Sequence, residues 1–219
     1  PLPASDDPAI AHSHPDWLVD ALRRDWPQDW RDILAANNQA APMWLRANAR
    51  DGDAASLVAA LAAEGLGAQA VAGVPGAVRL DGPVPVDRIP GWARGHASVQ
   101  DGAAQLAVAA LDPRPGERVL DACAAPGGKT AHLLERADLD LLALDVDARR
   151  CTRIHDNLQR LGLSAEVQCA DAANTAGWWD GRPFDAILLD APCTASGIVR
   201  RHPDVRWLRR ARDVAQLVA

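Results

Sequence analysis

Ten consecutive residues, Asp121–Thr130, read DACAAPGGKT and have the composition of a small-molecule site. A short strand-like run ends at Asp121 and a helical pattern follows, so we expect a strand that turns through glycines into a helix. Gly127 and Gly128 allow the backbone to approach a ligand closely, and the N–H groups of a helix start favour an anionic group. Lys129 is the only lysine among 23 basic residues. The segment therefore predicts a binding site for a molecule with a carboxylate or a phosphate.

A second acid, Asp145, ends the apolar run LLALD further along the chain. In nucleotide-binding doubly wound folds, an acid about 20 residues after the glycine turn accepts hydrogen bonds from ribose, because two vicinal hydroxyls match one carboxylate. Taken alone, Asp145 could equally cap the helix that follows it. Together with the glycine turn, we interpret it as a ribose ligand.

The same turn has a rival interpretation as the phosphate-binding loop of an NTPase. Residues 128–130 (GKT) match the end of the motif G-x-x-x-x-G-K-[ST], and the run AILLD resembles a strand that ends in a magnesium-binding acid, here Asp190. However, Cys123 occupies the place of the first glycine, and Pro126 lacks the N–H that a phosphate cradle needs there. The NTPase is therefore the less favoured alternative.

A cysteine at position 193 follows Asp190, Ala191 and Pro192 at the end of a strand pattern. A thiol that is fixed in direction by a preceding proline suits a reactive cysteine, whereas the alternative is a small buried hydrophobe. Methylation of C5 of cytosine gives such a thiol a defined use, because the carbon becomes nucleophilic only after a covalent adduct forms at C6. We interpret Cys193 as a residue that takes part in chemistry.

Basic residues concentrate in one short segment near the end of the sequence. The formal net charge is -6, so any binding of nucleic acid must be local. Taken alone, such a cluster in an arginine-biased sequence is better interpreted as a solvated helix face, and an RNA contact surface is the alternative. The residues of the cluster are Arg200, Arg201, His202, Arg206, Arg209 and Arg210.

These residues need strands whose ends meet at one edge of a sheet. From about residue 101, helix and strand patterns alternate strictly, which predicts an α/β domain with a parallel sheet and helices on both faces. Ligands of such sheets bind beyond the carboxyl ends of the strands, where Asp121, Asp145 and Asp190 fall. The expected strands are 118–121, 139–145, 165–169 and 184–190, and the expected helices are 101–111, 128–134 and 148–161.

The part of the chain before residue 95 has a different order of predicted helices and strands. Two helical patterns within 16–36 come before a small βαββ unit, whose helix begins at the cap Asp53 and ends at Gly65. The segment 82–95 is rich in proline and glycine and predicts a boundary between domains. The strands of the small unit are expected near 42–48, 69–71 and 77–80.

Composition excludes several classes of protein. The sequence has no apolar run of the roughly 20 residues that a membrane span needs and no signal-peptide pattern, so we expect a cytoplasmic protein that does not contact membranes. Its four cysteines form no C-x-x-C pair, and the six histidines lie at no ligand spacing beside them. This pattern argues against a disulfide framework and against a metal site.

Longer motifs carry a resemblance to a known family. The segments CAAPGGKT, LDAPC and SGIVRRHPDVRWLRR resemble those of RNA 5-cytosine methyltransferases that use S-adenosylmethionine. HPDWL (14–18) and NNQAAPMWLRAN (37–48) narrow the resemblance to the bacterial 16S ribosomal RNA cytosine-5 methyltransferase B group, also called Fmu or Sun. The resemblance implies a linker remnant at 1–13, a small α+β, RRM-like RNA-binding subdomain at 14–94, and a Rossmann-like class I methyltransferase domain at 95–219.

The resemblance also implies a role for each motif residue. Asp190 would face the target base, and Cys193 would assist product release by helping to eliminate the enzyme adduct. The protein would act on 16S ribosomal RNA as a monomer. The basic cluster directly follows the base-facing motif, so the resemblance favours an RNA contact surface for it. The residues expected to bind S-adenosylmethionine are Cys123, Ala124, Ala125, Pro126, Gly127, Gly128, Lys129, Asp145, Asp171 and Asp190.

Two departures from the family pattern bear on activity. Full-length members begin with a helical RNA-binding domain that resembles the antitermination factor NusB, which does not precede residue 14 here. The family's attacking cysteine lies in a Thr-Cys motif on a later strand, and this sequence contains no Thr-Cys pair. We therefore expect an incomplete methyltransferase domain with one exposed sheet edge. The alternative function is an inactive fragment, or a module that binds cofactor or RNA without turnover.

Overall fold

The structure, a computed structural model, describes residues 6–218, with side chains described as far as Gln216. Two compact units divide it. The central unit is Pro42–Ala191, and the flanking unit combines the described residues up to Ala41 with those from Pro192 onward. No helix in the described part of the chain is long and apolar enough to cross a membrane.

The secondary structure follows the expected order of elements. Short 3-10 turns lie at Val86–Arg88, Trp92–Arg94, Thr175–Gly177 and Ser196–Ile198. The strands are β1 (Trp44–Ala47), β2 (Ala68–Ala70), β3 (Ala77–Leu80), β4 (Ala97–Val99), β5 (Arg118–Ala122), β6 (Asp140–Asp145), β7 (Glu166–Cys169) and β8 (Ala186–Leu189). The α-helices are α1 (Pro8–His12), α2 (Asp16–Asp25), α3 (Trp30–Asn37), α4 (Ala54–Ala63), α5 (Gly102–Leu111), α6 (Gly128–Arg136), α7 (Ala148–Arg160), α8 (Val205–Leu208) and α9 (Ala211–Val218).

Four parallel strands in the central unit confirm the predicted α/β fold. Their order is β7-β6-β5-β8, so β5 lies between β6 and β8 and the strand order reverses there. The carboxyl ends of parallel strands meet at one edge of a sheet, and a reversal of strand order opens a crevice at that edge. The ends of β5, β6 and β8 therefore form the expected place for a ligand.

One face of the parallel sheet forms the main hydrophobic core. Val119 of β5 and Leu141 of β6 pack against Leu133 of α6 and Ile154 of α7, and all four are at most 3% exposed. Burial of such side chains stabilises each by about 1.5–3 kcal/mol relative to exposure. The packing fixes α6 and α7 against the strands, and so fixes the start of α6 beside the end of β5.

The opposite face of the parallel sheet has an irregular cover in the central unit. Leu144 of β6 is buried under Trp178 and Phe184, which lie in the segment between β7 and β8. This segment holds a 3-10 turn, and no helix was predicted between the strands at 165–169 and 184–190. On β8, which pairs only with β5 in the described part of the chain, Ile187 and Leu189 are 55% and 64% exposed.

A smaller antiparallel sheet, in the order β2-β3-β1-β4, occupies the first part of the central unit. Its core includes Leu45, Leu57 and Leu61, and the predicted cap Asp53 forms a capping box with Ser56 at the start of α4. Strand β4 was not predicted, because three residues after a proline- and glycine-rich segment show no alternation. Strand β4 lies after residue 94, the predicted end of the small subdomain, yet it pairs with β1 of the small sheet. The domain limit at 94 stays a prediction.

The flanking unit contains the two helices predicted within 16–36, now α2 and α3. They pack through Val19, Trp30 and Leu34, which are nearly fully buried. The short helix α1 lies within the segment 1–13 that was predicted as a linker, and residues 1–5 of that segment lie outside the described chain. Asp7 caps α1 and Pro8 follows at its first position, a sequence typical of a helix start.

We expect Leu133→Ala to lower the free energy of unfolding by about 2–5 kcal/mol, because Leu133 is fully buried in the main core and a cavity would remain. Leu106→Ala on α5 is the matched control, since Leu106 is 44% exposed and its truncation should change the free energy by less than about 1 kcal/mol. Urea unfolding followed by circular dichroism measures both. Equal losses in the two variants would contradict the assigned core.

Candidate cofactor site

The turn between β5 and α6 bends through two residues with left-handed backbone. Cys123 has φ 62° and Gly127 has φ 90°. A Cβ on Gly127 would lie 3.1 Å from a side-chain carbon of Ile154, so this glycine is needed for packing against α7 rather than for a ligand. A Cβ on Gly128 would meet nothing within 4 Å. The two glycines therefore differ, and the open space expected at the turn lies at Gly128.

Side chains from behind the turn hold its carbonyl groups. Arg150 donates to the Ala125 carbonyl at 3.1 Å, and Asn157 donates to the Gly127 carbonyl at 3.3 Å. Arg46 of β1 donates to the Gly128 carbonyl at 3.1 Å. The N-cap residue of α6, Gly127, makes no side-chain cap hydrogen bond in the described part of the chain. The carbonyls of the turn and of Gly128 are thus bound, while the first N–H groups of α6 have no capping side chain, an arrangement that suits an anion.

Asp145 is 2% exposed and holds the turn from the end of β6. Its Oδ2 accepts the Ala125 N–H at 3.2 Å, and its Oδ1 accepts the Asp147 N–H at 3.1 Å. An Arg150 nitrogen lies 3.3 Å from Oδ2. The side chain that caps α7 is Asp147, which accepts from the Arg149 and Arg150 N–H groups. The helix-cap alternative therefore belongs to Asp147, and the ribose role of Asp145 stays a prediction.

Asp121, at the end of β5, is 1% exposed and incompletely satisfied. Its Oδ2 accepts the Thr130 hydroxyl at 2.6 Å, whereas its Oδ1 has no hydrogen-bond partner in the described chain. Burial raises the pKa of this carboxyl to about 6, against the opposing effects of the Thr130 hydrogen bond and the Lys129 charge. An unpartnered buried carboxylate oxygen is costly, and such atoms often accept hydrogen bonds from a ligand.

Lys129 forms an ion pair with Asp190, at 2.5 Å between Nζ and Oδ2. The Lys129 side chain is 21% exposed and the Asp190 side chain is 60% exposed. The pair connects the start of α6 to the residue that follows β8, so the two motifs recognised in the sequence meet at the sheet edge. Lys129 is thereby held by a protein carboxylate, which agrees with a role in shaping the site rather than in holding a phosphate.

The remaining predicted site residues have diverse surroundings. Asp171 is exposed after β7, and its Oδ1 accepts the Ala173 N–H at 2.9 Å within its own turn. Cys193 is exposed in the flanking unit, and its sulfur accepts the Ala195 N–H at 3.4 Å. Burial, then the charge of Asp145, raises the pKa of the Cys123 thiol. Cys123 is therefore a neutral thiol at pH 7 and a poor nucleophile.

The structure corrects the prediction that Arg206 belongs to an exposed RNA contact surface. Arg206 is 5% exposed, and its guanidinium donates to the Asn37 carbonyl at 3.0 Å and to the Asn38 side chain at 2.5 Å. These acceptors lie at the C-terminal end of α3, where carbonyl groups lack helical partners and favour a cation. Arg206 therefore joins two parts of the flanking unit, and its burial removes it from contact with RNA.

The other cluster residues divide by exposure. Arg200 donates to the Ala40 carbonyl at 2.8 Å, and Arg209 donates to the Thr194 carbonyl at 2.9 Å. Both of these arginines are half-buried, whereas Arg201, His202 and Arg210 are exposed. The RNA contact predicted for all five residues stays a prediction.

Sequence reasoning missed the residues that hold the turn from behind, which are Arg46, Arg150 and Asn157. No sequence signal marks Arg46, because an arginine between Leu45 and Ala47 in a strand pattern is expected on the solvent-facing side of the strand. Its burial is visible only in the structure. Arg150 and Asn157 also carry no signal, since they lie on a helix that is rich in polar residues.

Comparison with known families decides the class of protein. Residues 108–219 match the family model described as 16S rRNA methyltransferase RsmB/F. The chain belongs to the RsmB/F family. Residues 14–87 match the ferredoxin-like domain of RsmF/B-like methyltransferases, which agrees with the predicted small α+β subdomain. Membership of the RsmB/F family confirms the resemblance identified in the motifs, and it agrees with a methyltransferase class and with S-adenosylmethionine as the cofactor.

Individual RsmB/F relatives cover nearly the whole chain. Ribosomal RNA small subunit methyltransferase B of Vibrio cholerae serotype O1 is 48% identical over 98% of this chain, and that of Pseudomonas putida is 49% identical over 96%. The chain spans 50% and 49% of these relatives. Among solved structures, PH0851 superposes with a TM-score of 0.92 at 29% identity, over 99% of this chain and 50% of that one. A methyltransferase homologue from Pyrococcus horikoshii gives a TM-score of 0.72 at 30% identity, over 91% of this chain and 68% of that one.

The raised pKa of Asp121 gives a pH-dependent prediction. Between about pH 4 and 6 the folded state holds a proton that an unfolded aspartate has lost, so the free energy of unfolding falls as pH rises through this window. A change of the pKa from 3.8 to about 6 corresponds to roughly 3 kcal/mol. Asp121→Asn removes this titration, so the stability of the variant relative to the parent should increase from pH 4 to 6 and then level off.

Urea unfolding at a series of pH values measures this difference. Thr130→Val provides a second arm, because loss of its hydrogen bond to Asp121 should raise the pKa further and extend the window to higher pH. A relative stability of Asp121→Asn that does not vary with pH would rule out the raised pKa.

Proposed function

We propose that this chain is the part of a small-subunit ribosomal RNA methyltransferase that binds S-adenosylmethionine and faces the target base. The observation that carries the proposal is that the family match and the candidate cofactor site fall on the same residues. The family match runs through β5, α6 and the strand ends, and the turn at that place keeps uncapped N–H groups beside buried acids. The curated relatives are named ribosomal RNA small subunit methyltransferase B, which supports ribosomal RNA as the substrate.

The residues at the turn suit the amino-acid end of S-adenosylmethionine. Its carboxylate would be bound by the N–H groups at the start of α6, and its ammonium group matches the unpaired Oδ1 of Asp121. The open space at Gly128 allows the backbone to be approached closely. When bound, S-adenosylmethionine supplies an electrophilic methyl group on a sulfonium.

The adenosine end would lie beside the ends of β6 and β7. Each carboxylate oxygen can accept more than one hydrogen bond, so Asp145 retains acceptor capacity beside its contacts with Ala125, Asp147 and Arg150. Two vicinal ribose hydroxyls are the proposed donors to this carboxylate. Asp171, which follows β7, is the proposed neighbour of the adenine.

The target base is proposed to be a cytosine that leaves the RNA stack to enter the site. Asp190 is exposed and held by Lys129, and a carboxylate can accept a hydrogen bond from the exocyclic amino group of cytosine. Cys193 presents an exposed thiol that would assist elimination of the enzyme adduct. Arg201, His202 and Arg210 are the proposed contacts to the RNA backbone.

A second candidate is a module that binds cofactor or RNA without turnover, and the sequence itself favours it because it contains no Thr-Cys pair. The NTPase alternative is weaker. Lys129 is engaged by Asp190, and Pro126 offers no N–H to a phosphate.

Cofactor binding is tested by calorimetric titration of the chain with S-adenosylmethionine and, separately, with ATP and magnesium. We expect binding of S-adenosylmethionine and a loss of affinity of at least about tenfold in Asp145→Ala, because the variant removes the ribose acceptor and releases the Ala125 N–H. Asp156→Ala, on the exposed side of α7, is the matched control and should bind as the parent does. Preferential binding of ATP would overturn the methyltransferase proposal.

Substrate and chemistry are tested with labelled S-adenosylmethionine and unmodified 16S ribosomal RNA. Because the sequence holds no Thr-Cys pair, we expect these 219 residues to bind the cofactor without forming 5-methylcytosine. Formation of 5-methylcytosine that is lost in Cys193→Ser would instead make Cys193 the attacking nucleophile. Methylation of a base other than cytosine would contradict the proposed target.

A further inference from the structure

Arg46 of β1 has an unusual position for a charged residue. Its side chain is 1% exposed, as is that of Glu135 at the end of α6. The two form a bidentate ion pair, with Nε to Oε2 at 2.8 Å and Nη2 to Oε1 at 2.7 Å. Gln100, which follows β4, accepts a further hydrogen bond from Arg46. The guanidinium therefore has the paired and planar surroundings that a buried arginine requires.

The same guanidinium reaches the first residue of α6. Nη1 of Arg46 donates to the Gly128 carbonyl at 3.1 Å. Helical side chains tilt toward the N-terminus, so Glu135, two turns further along α6, extends back toward the start of the helix. Arg46 meets both groups because of this tilt. One cation from the small sheet thus fixes the end and the beginning of the helix that follows the cofactor turn.

The carbonyl that Arg46 binds belongs to the peptide group between Gly128 and Lys129. A trans peptide is planar and its C=O and N–H point in opposite directions, so fixing the Gly128 carbonyl also fixes the direction of the Lys129 N–H. Gly127 and Gly128 lack a Cβ and leave this stretch of backbone permissive. The helical hydrogen bonds of the first turn of α6 orient this peptide only in part, and a restraint from outside the turn limits the remaining freedom of the N–H.

We propose that Arg46 is a positioning residue for cofactor binding, which aims the Lys129 N–H at the carboxylate of S-adenosylmethionine by holding the Gly128 carbonyl. The role rests on the proposed function. Arg46 touches no part of the site in which the cofactor would lie, and it acts through the backbone of α6. Lysine cannot replace it, because a single ammonium group lacks the fork that binds Glu135 and the Gly128 carbonyl together.

The test needs variants that separate positioning from stability. Arg46→Met alone would leave Glu135 buried without a partner and would destabilise the fold. The double variant Arg46→Met with Glu135→Met removes both charges and keeps an apolar interior of similar volume, and Arg46→Lys keeps a positive charge. Arg50→Met is the matched control, since Arg50 donates to the Leu134 carbonyl near the end of α6 and not to its start.

Two measurements are made on each variant. The first is the Kd for S-adenosylmethionine by calorimetry, beside the Tm. The second uses the fact that Lys129 is the only lysine of the chain, so labelling with 15N-lysine gives a single backbone amide signal at the peptide in question. That signal reports the environment and the exchange of the Lys129 N–H. A variant that is less stable elsewhere but still folded would leave the signal unchanged.

We expect the double variant and Arg46→Lys to raise the Kd about tenfold, with the Tm of the double variant within a few degrees of the parent. The Lys129 signal should shift or broaden in both, and Arg50→Met should change neither quantity. Unchanged Kd and Lys129 signal in a folded Arg46 variant would overturn the proposal. A parent chain that binds no S-adenosylmethionine would refute the proposed function, and the Lys129 signal would then still decide whether Arg46 fixes the peptide.

Discussion

The carboxylate of Asp145 is the contact on which the turn between β5 and α6 depends. Parallel pairing of β5 with β6 brings the end of β6 beside this turn, and there the buried acid accepts the Ala125 N–H. Without such partners a buried charge costs several kcal/mol, so acid and turn stabilise each other. Sheet pairing thus determines the shape of a loop that has no regular structure of its own.

Two kinds of buried charge occur around this loop, and they differ in how fully they are paired. Glu135 and Arg46 satisfy each other with two hydrogen bonds. Asp121 receives one hydrogen bond, on Oδ2, and keeps Oδ1 without a partner in the described chain. Paired charges stabilise the residues behind the turn, whereas the unsatisfied carboxylate at the strand end is the group that we propose binds the ammonium of the cofactor.

The sequence predicted the parallel sheet well because strands and helices with clear periods alternate from residue 101 onward. It also predicted that Asp121, Asp145 and Asp190 end neighbouring strands, since that follows from the fold alone. It missed β4, which is too short to show alternation, and the burial of Arg206, which depends on residues distant in sequence. Polar residues that hold a turn through its carbonyl groups, such as Asn157, resemble surface residues in any single sequence. Local patterns therefore locate strand ends, whereas tertiary contacts decide which polar side chains lie behind them.

The buried contact of Arg206 has a consequence for the order in which the chain folds. It joins residue 206 to residue 38, which is 168 positions earlier. Closing such a large loop is entropically costly and is offset only by contacts made at its end. During synthesis, the segments that form α2 and α3 would leave the ribosome long before Arg206. The contact between Arg206 and the end of α3 can form only after residue 206 has also emerged. The central unit is continuous in sequence and can form in the meantime. We therefore expect the flanking unit to be completed last, from segments that precede and follow the central unit in the sequence.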